Sequence, residues 1–202
     1  MEHTLSIKGM KIRYLQKGKG IPVVLLHGLS FYAETWVEVG LFDALSGDYC
    51  VYSFDMPYGA KSKSDKFHAE NRDEYADFLK TMLKVLTIEK PLLIGASISG
   101  EVTLRYLIHG YHARSAVVVG PIGIRSLGNH LGRIAIPLLA IWGEKDTISS
   151  PDDSKILEAH LKNSEVRIIE GASHPCYLNE PVQFTEIVKD FLKRSVGSGL
   201  NI

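Results

Sequence analysis

A three-layer α/β fold around a mostly parallel sheet is the expected architecture of this chain. Short continuous apolar runs recur at Val23 to Leu26, Val51 to Phe54, Leu92 to Ile94, Ala116 to Val119, Leu138 to Trp142 and Val166 to Ile169. Runs without alternation are what strands buried on both faces look like. Segments of helical periodicity lie between most of them. Residues 71–86 bring Tyr75, Phe78, Leu79, Met82, Leu83 and Leu86 to one face, and residues 181–194 do the same with Phe184, Ile187, Val188, Phe191 and Leu192. Strands alternating with helices in this way build a parallel sheet covered on both faces.

The opening segment follows a different rule. Leu5 and Ile7, a turn at Lys8-Gly9, then Ile12 and Tyr14 alternate as in a half-buried antiparallel hairpin. Lys17-Gly18-Lys19-Gly20 forms the next turn. It precedes a strand instead of opening a helix, so a glycine-rich phosphate loop is excluded by context. Asn71, and Ser150 or Asp152, stand where helix N-caps belong. Residues 196–202 carry two glycines and little pattern and read as a flexible tail behind a single domain over 1–195.

Composition narrows the function classes. A chain of 202 residues can bury one large core without staples. Its 45% hydrophobic and 23% charged residues are ordinary for a globular domain. Lys and Arg number 23, as do Asp and Glu, so no long-range field gathers nucleic acid or anionic lipid. The two cysteines, Cys50 and Cys176, are too few for a disulfide scaffold or a structural zinc site and read as free thiols. No basic-then-apolar leader opens the chain, and no apolar run approaches the ~20 residues of a membrane span. The expectation is a soluble cytoplasmic protein of unspecified oligomeric state, with no metal and no cofactor.

In parallel sheets chemistry gathers at the carboxyl ends of the strands. There the run Leu92 to Ile94 ends in Gly95-Ala96-Ser97-Ile98-Ser99-Gly100, followed at once by a helical pattern through Val102, Leu104, Tyr106 and Leu107. A serine between small residues, at a tight strand-to-helix turn, is the layout of an exposed nucleophile. Gly95 meets the need for a small flank fully, and Ser99 stands where glycine is usual. The strand ending at Trp142 is followed by Gly143-Glu144-Lys145-Asp146, and the strand ending at Ile169 by Gly171-Ala172-Ser173-His174. Ser97, Asp146 and His174 thus sit beyond three different strands that a parallel sheet brings to one rim. A fourth strand ends in His27-Gly28-Leu29. The N–H groups of Leu29 and Ile98 are candidates for holding an oxyanion, with His27 and Gly28 shaping the supporting loop. The turn Asp55-Met56-Pro57-Tyr58-Gly59, with Ser62 and Ser64 beyond it, reads as structural.

In these blocks, and in the order Ser, Asp, His, the chain resembles the α/β-hydrolase superfamily over nearly its whole length. The resemblance implies eight strands with the second antiparallel to the rest. It departs from the usual pattern after Gly120-Pro121, where only about fifteen residues precede the next strand at Ile136 and leave no room for a helical cap domain. The chain is therefore similar to the compact, lidless CIB-type group and its prokaryotic relatives, in which esterase activity on small activated esters is typical.

Two-step acyl transfer is the chemistry these residues suit, with Ser97 as nucleophile, His174 as base and Asp146 as its orienter, acting on a small carboxylic ester. A serine at 97 excludes the carboxylate nucleophile of dehalogenases and epoxide hydrolases and the cysteine of dienelactone-type hydrolases. A thioesterase or protein-lysine deacylase using the same residues stays open, and so does a non-catalytic adaptor on the same fold. Phe31, Tyr32, Trp36, Tyr58 and Tyr177 are candidate substrate-rim residues. Lys61, Lys63 and Lys66 read as a solvated loop, and His109 and His112 as the polar end of a helix, with no third ligand at metal spacing. Cys176, two residues from His174, reads as a thiol whose alkylation blocks the site without a catalytic role.

Overall fold

The computed structural model describes residues 1–197. Eight strands, β1 (Glu2–Ile7), β2 (Met10–Lys17), β3 (Pro22–Leu26), β4 (Cys50–Phe54), β5 (Leu92–Ala96), β6 (Ser115–Val119), β7 (Leu138–Gly143) and β8 (Ser164–Ile169), form one sheet in the order β1-β2-β4-β3-β5-β6-β7-β8. β2 runs antiparallel to both its neighbours, and every pair from β4 to β8 is parallel. The helices are α1 (Thr35–Glu38), α2 (Leu41–Ser46), α3 (Arg72–Val85), α4 (Ile98–Ile108), α5 (Ile124–Leu127), α6 (Ser154–His160), α7 (Cys176–Asn179) and α8 (Pro181–Gly197).

Side-chain alternation along the central strands divides the interior into two cores. Val24 and Leu26 of β3 and Leu93 of β5 face Leu79, Met82, Val102 and Leu104 of α3 and α4. Val23, Leu25, Leu92 and Ile94 face the other way, onto Leu41, Leu45, Phe184, Val188 and Leu192 of α2 and α8. Both faces of the strands are therefore apolar, which is why their sequences show runs and no alternation. The β1–β2 hairpin pairs Ile7 with Met10. Lys8 (φ 49°) and Gly9 (φ 86°) form the two-residue loop, the left-handed pair that matches strand twist.

The edge strand β8 departs from the expected pattern. Val166 is only partly buried and Ile168 is exposed, because β8 closes the sheet and α6 covers it incompletely. α8 runs on through Val196 and Gly197, two residues expected in the tail, since Phe191 and Leu192 hold its last turns against the core. The rest of the expected tail lies outside the described residues. Between β6 and β7 the chain makes only α5 and a 3₁₀ stretch, Gly128–Arg133, and no cap domain. No helix among the described residues is long and apolar enough to cross a membrane.

Asn71 caps α3: its side-chain oxygen accepts from the N–H groups of Asp73 (3.0 Å) and Glu74 (3.2 Å). Ser150 caps the 3₁₀ turn Pro151–Asp153 that precedes α6. His109 turns its ring to Asp73 (Nε2 to Oδ1, 3.2 Å) and not to the end carbonyls of α4. The Asn71 bonds satisfy donors that no helical carbonyl can reach. Asn71→Ala should therefore lower stability by about 1 kcal/mol, read as a shift of the urea midpoint at unchanged slope.

Candidate active site

β5 ends at Ala96 and α4 begins at Ile98, which leaves Ser97 alone to turn the chain. It does so at φ 55°, ψ −116°, a conformation rare for any residue with a Cβ. Strain of this kind costs about 1–3 kcal/mol and persists only where the surroundings overdetermine it. Here they do. The Ser97 N–H donates to Val119 O (2.8 Å), and its carbonyl accepts from Gly100 N (2.9 Å). Strand and helix close tightly behind it, so that a Cβ on Gly95 would lie 2.4 Å from Ser99 O. Ser99, in the place of a glycine, is fully buried and employs its hydroxyl. It donates to His27 O, which leaves its oxygen to accept from the Tyr58 hydroxyl (2.6 Å).

His174 reaches back from the loop after β8. Its Nε2 lies 2.9 Å from Ser97 Oγ and its Nδ1 2.7 Å from Asp146 Oδ2. The other oxygen of Asp146 accepts from the N–H groups of Ile148 (2.9 Å) and Ser149 (2.8 Å). That carboxylate is buried and has only acceptor capacity, so it orders the imidazole with Nδ1–H donating to it and Nε2 free to accept from Ser97. Behind it Trp142 Nε1 donates to Ser149 Oγ (3.0 Å), which donates to Pro121 O (2.7 Å). Gly120 (φ 47°) supplies the floor: a Cβ there would sit 3.0 Å from Asp146 Oδ2 and 3.1 Å from His174 Nδ1. No motif in the sequence marked Gly120 for this role.

The loop after β3 lies against the strand-to-helix elbow at Ser97, with the position of a Gly28 Cβ 3.5 Å from Ser97 Cβ. Ile98 opens α4, so its N–H has no carbonyl inside the helix to bond. His27 is wholly buried and braces the loop. Its Nε2 accepts from Met56 N (2.9 Å), which places the ring proton on Nδ1, donating to Gly28 O (2.8 Å). Asp55 holds the neighbouring turn by accepting from Lys63 N (2.7 Å) and Ala33 N (3.2 Å). Lys63 pairs with Glu34 (3.0 Å) and Lys66 donates to Gly59 O (2.5 Å), so these cations serve the turn itself.

A cavity of about 210 Å³ opens over Ser97 and His174. Leu29, Phe31, Val119, Ile148 and Tyr177 line it, with Gly28 and Ser30. Two of the five candidate rim aromatics, Phe31 and Tyr177, are present. The other three are not. Trp36 is fully buried beneath, its ring tilted against Tyr177 (5.0 Å) and stacked on Phe184 (6.2 Å). Tyr58 lies under the elbow, bonded to Ser99. Tyr32 turns outward to Glu38 (2.6 Å). Val119 and Ile148, which sequence reasoning missed, take their place; each lies at a strand end or in a loop whose direction only the folded chain sets. Cys176 also differs from expectation. It is fully buried, and burial, reinforced by the Asp146 charge, pushes its thiol up to about 12.

Comparison with known proteins agrees with this architecture. Residues 21–127 match the family model described as alpha/beta hydrolase fold. The chain belongs to the α/β-hydrolase family. This chain is 32% identical to protein ABHD14A of Danio rerio over 86% of its own length, and spans 65% of that protein. It is 29% identical to ABHD14B of Rattus norvegicus, named as a candidate protein-lysine deacylase, over 95% of both chains. Among solved structures it is similar to a CIB-like hydrolase from Thermoplasma acidophilum, with a TM-score of 0.89 and 25% identity over 96% of this chain and 98% of that one.

Two outcomes test the site's construction. Gly120→Ala should destabilise the protein by about 1–3 kcal/mol, because the residue must hold positive φ and clear Asp146 and His174; the melting temperature reports it. Iodoacetamide at pH 8 should leave Cys176 unmodified in the folded protein, since a thiol raised to about 12 stays protonated there. It should be alkylated fully in urea, read by peptide mass.

Proposed function

We propose that this protein is a serine hydrolase that cleaves a small carboxylic ester by two-step acyl transfer. The observation that carries the proposal is the unbroken hydrogen-bond chain from Ser97 Oγ through His174 to Asp146, at 2.9 and 2.7 Å, on a strained turn. Ser97 Oγ attacks the carbonyl carbon while His174 Nε2 takes its proton, and Asp146 stabilises the imidazolium. The N–H groups of Leu29 and Ile98 hold the oxyanion. As the tetrahedral intermediate collapses, His174 returns the proton to the leaving oxygen and the acyl group stays on Ser97. Water, deprotonated by His174, then releases the acid and restores the serine. Side chains, backbone donors and water are sufficient for every step.

A second reading, a protein-lysine deacylase working through the same residues, is favoured by the similarity to the rat protein over 95% of both chains. The leaving atom is then the lysine nitrogen, which His174 must protonate before the C–N bond breaks. The mouth of the cavity, where Leu29 and Ile148 are exposed, gives an extended acyl-lysine side chain an unroofed approach.

A fluorophosphonate probe should add once to the wild type, on Ser97, and not to Ser97→Ala or His174→Ala. Turnover of nitrophenyl esters should fall by about 10⁴–10⁶-fold in either variant. Parallel assays with acyl-lysine peptides separate the two substrate classes. Folded wild-type protein that takes no label would sink the proposal and leave an adaptor on a hydrolase fold.

A further inference from the structure

The two N–H groups assigned to the oxyanion belong to different elements: Leu29 to the loop after β3, Ile98 to the start of α4. Their separation decides whether both can reach one oxygen, and a shift of about 1 Å in such a pair costs up to 10²-fold in rate. Something must lock one element to the other. The backbone ladder does not do so at this point, since the last β3–β5 register pair is Leu26 with Gly95, one residue before the loop and two before Ser97.

Past that pair, the two elements are tied by a side chain. Ser99, in the first turn of α4, donates from Oγ to the backbone carbonyl of His27. Tyr58, from the turn after β4, donates its hydroxyl to the same Oγ (2.6 Å). All three residues are buried. The turn carrying Tyr58 also grips the oxyanion loop at two further points: Met56 N donates to His27 Nε2 (2.9 Å), and Ala60 N to Leu29 O (2.6 Å). Tyr58 is set in turn by the Tyr75 ring of α3, edge-on at 4.7 Å. One hydroxyl therefore joins the elbow, the oxyanion loop and the turn after β4. A glycine at 99 would leave the His27 carbonyl and the Tyr58 hydroxyl both buried without this partner, which is costly for polar groups away from water.

We infer that Ser99 and Tyr58 are positioning residues that set the spacing of the Leu29 and Ile98 N–H donors. The inference rests on the reading of Ser97 as nucleophile, and the clamp touches no reacting atom. Both chemical steps pass through an oxyanion, so a loosened clamp slows acylation and deacylation alike. That lowers kcat and leaves KM nearly unchanged, which a substrate-binding role would not do.

The test measures 4-nitrophenyl acetate hydrolysis, normalised to the fraction of protein that fluorophosphonate labels, for wild type, Ser99→Ala, Tyr58→Phe and the double variant. Tyr58→Phe removes one buried oxygen and keeps the fold testable if Ser99→Ala does not fold. The expected result is a fall in kcat of about ten- to a hundred-fold for Ser99→Ala, a smaller fall for Tyr58→Phe, and KM steady within about twofold. The double variant should be no slower than Ser99→Ala, because the two hydroxyls act as one unit. The affinity of a phenylboronic acid, which forms the tetrahedral adduct, should fall by the same factor as kcat/KM. Unchanged kcat per labelled site, or a loss confined to KM, overturns the clamp while leaving Ser97 in place. A wild type that takes no label removes the nucleophile and the clamp together.

Discussion

Ser97 must turn a buried strand into a buried helix with no residues to spare, at a positive φ that its Cβ opposes. The turn stays closed because both segments are anchored beyond it: α4 packs into the core on one face of the sheet, and β5 sends Leu93 into that core and Leu92 and Ile94 into the other. The absence of a side chain on Gly95 lets them approach, and the bonds from Ser97 N to Val119 and from Gly100 N to Ser97 O hold the result. The energy stored there is small against what two cores bury, and its effect is to hold the hydroxyl clear of both elements.

The polar groups around that hydroxyl form a graded network. Asp146 is saturated by two backbone donors, so its remaining oxygen has one partner to meet, His174 Nδ1. His27, by contrast, accepts from Met56 N and donates to Gly28 O, and has no free nitrogen for proton transfer. The two histidines are held differently: Asp146 lies 2.7 Å from His174 Nδ1, whereas Met56 N donates to His27 Nε2, with Asp55 Oδ1 3.6 Å from the same nitrogen. Further out, buried Arg13 links Glu2, Glu34 and Asp55 and ties the hairpin to the turns that back the loop after β3. Removing one partner from such a cluster is more damaging than the cluster is stabilising, since it strands a buried charge.

Much of the fold was legible in the chain because both-face burial writes itself as apolar runs, and helices on that sheet write themselves at 3.6-residue spacing. The runs at Val23, Leu92, Ala116 and Leu138 all fall in interior strands. The run at Val166 looked the same and became a half-exposed edge, because edge position is a property of strand order and leaves no mark in a six-residue segment. The aromatic residues show the same limit. Phe31 and Trp36 lie five positions apart on one loop and helix, yet one lines the cavity and the other is sealed under Tyr177.

Local sequence determined which residues carry reactive groups and at which strand ends they stand: Ser97 between small flanks, Asp146 and His174 on short loops after β7 and β8. Those are short-range facts, set by strand length, turn chemistry and side-chain type. Tertiary structure alone decided the distances between them, the ordering of His174 by Asp146, the need for Gly120 beneath that pair, and the meeting of Ser99, Tyr58 and His27 at one hydroxyl. Each of these joins segments many residues apart, and the angle and spacing at which strands and helices pack depend on every contact in both cores at once.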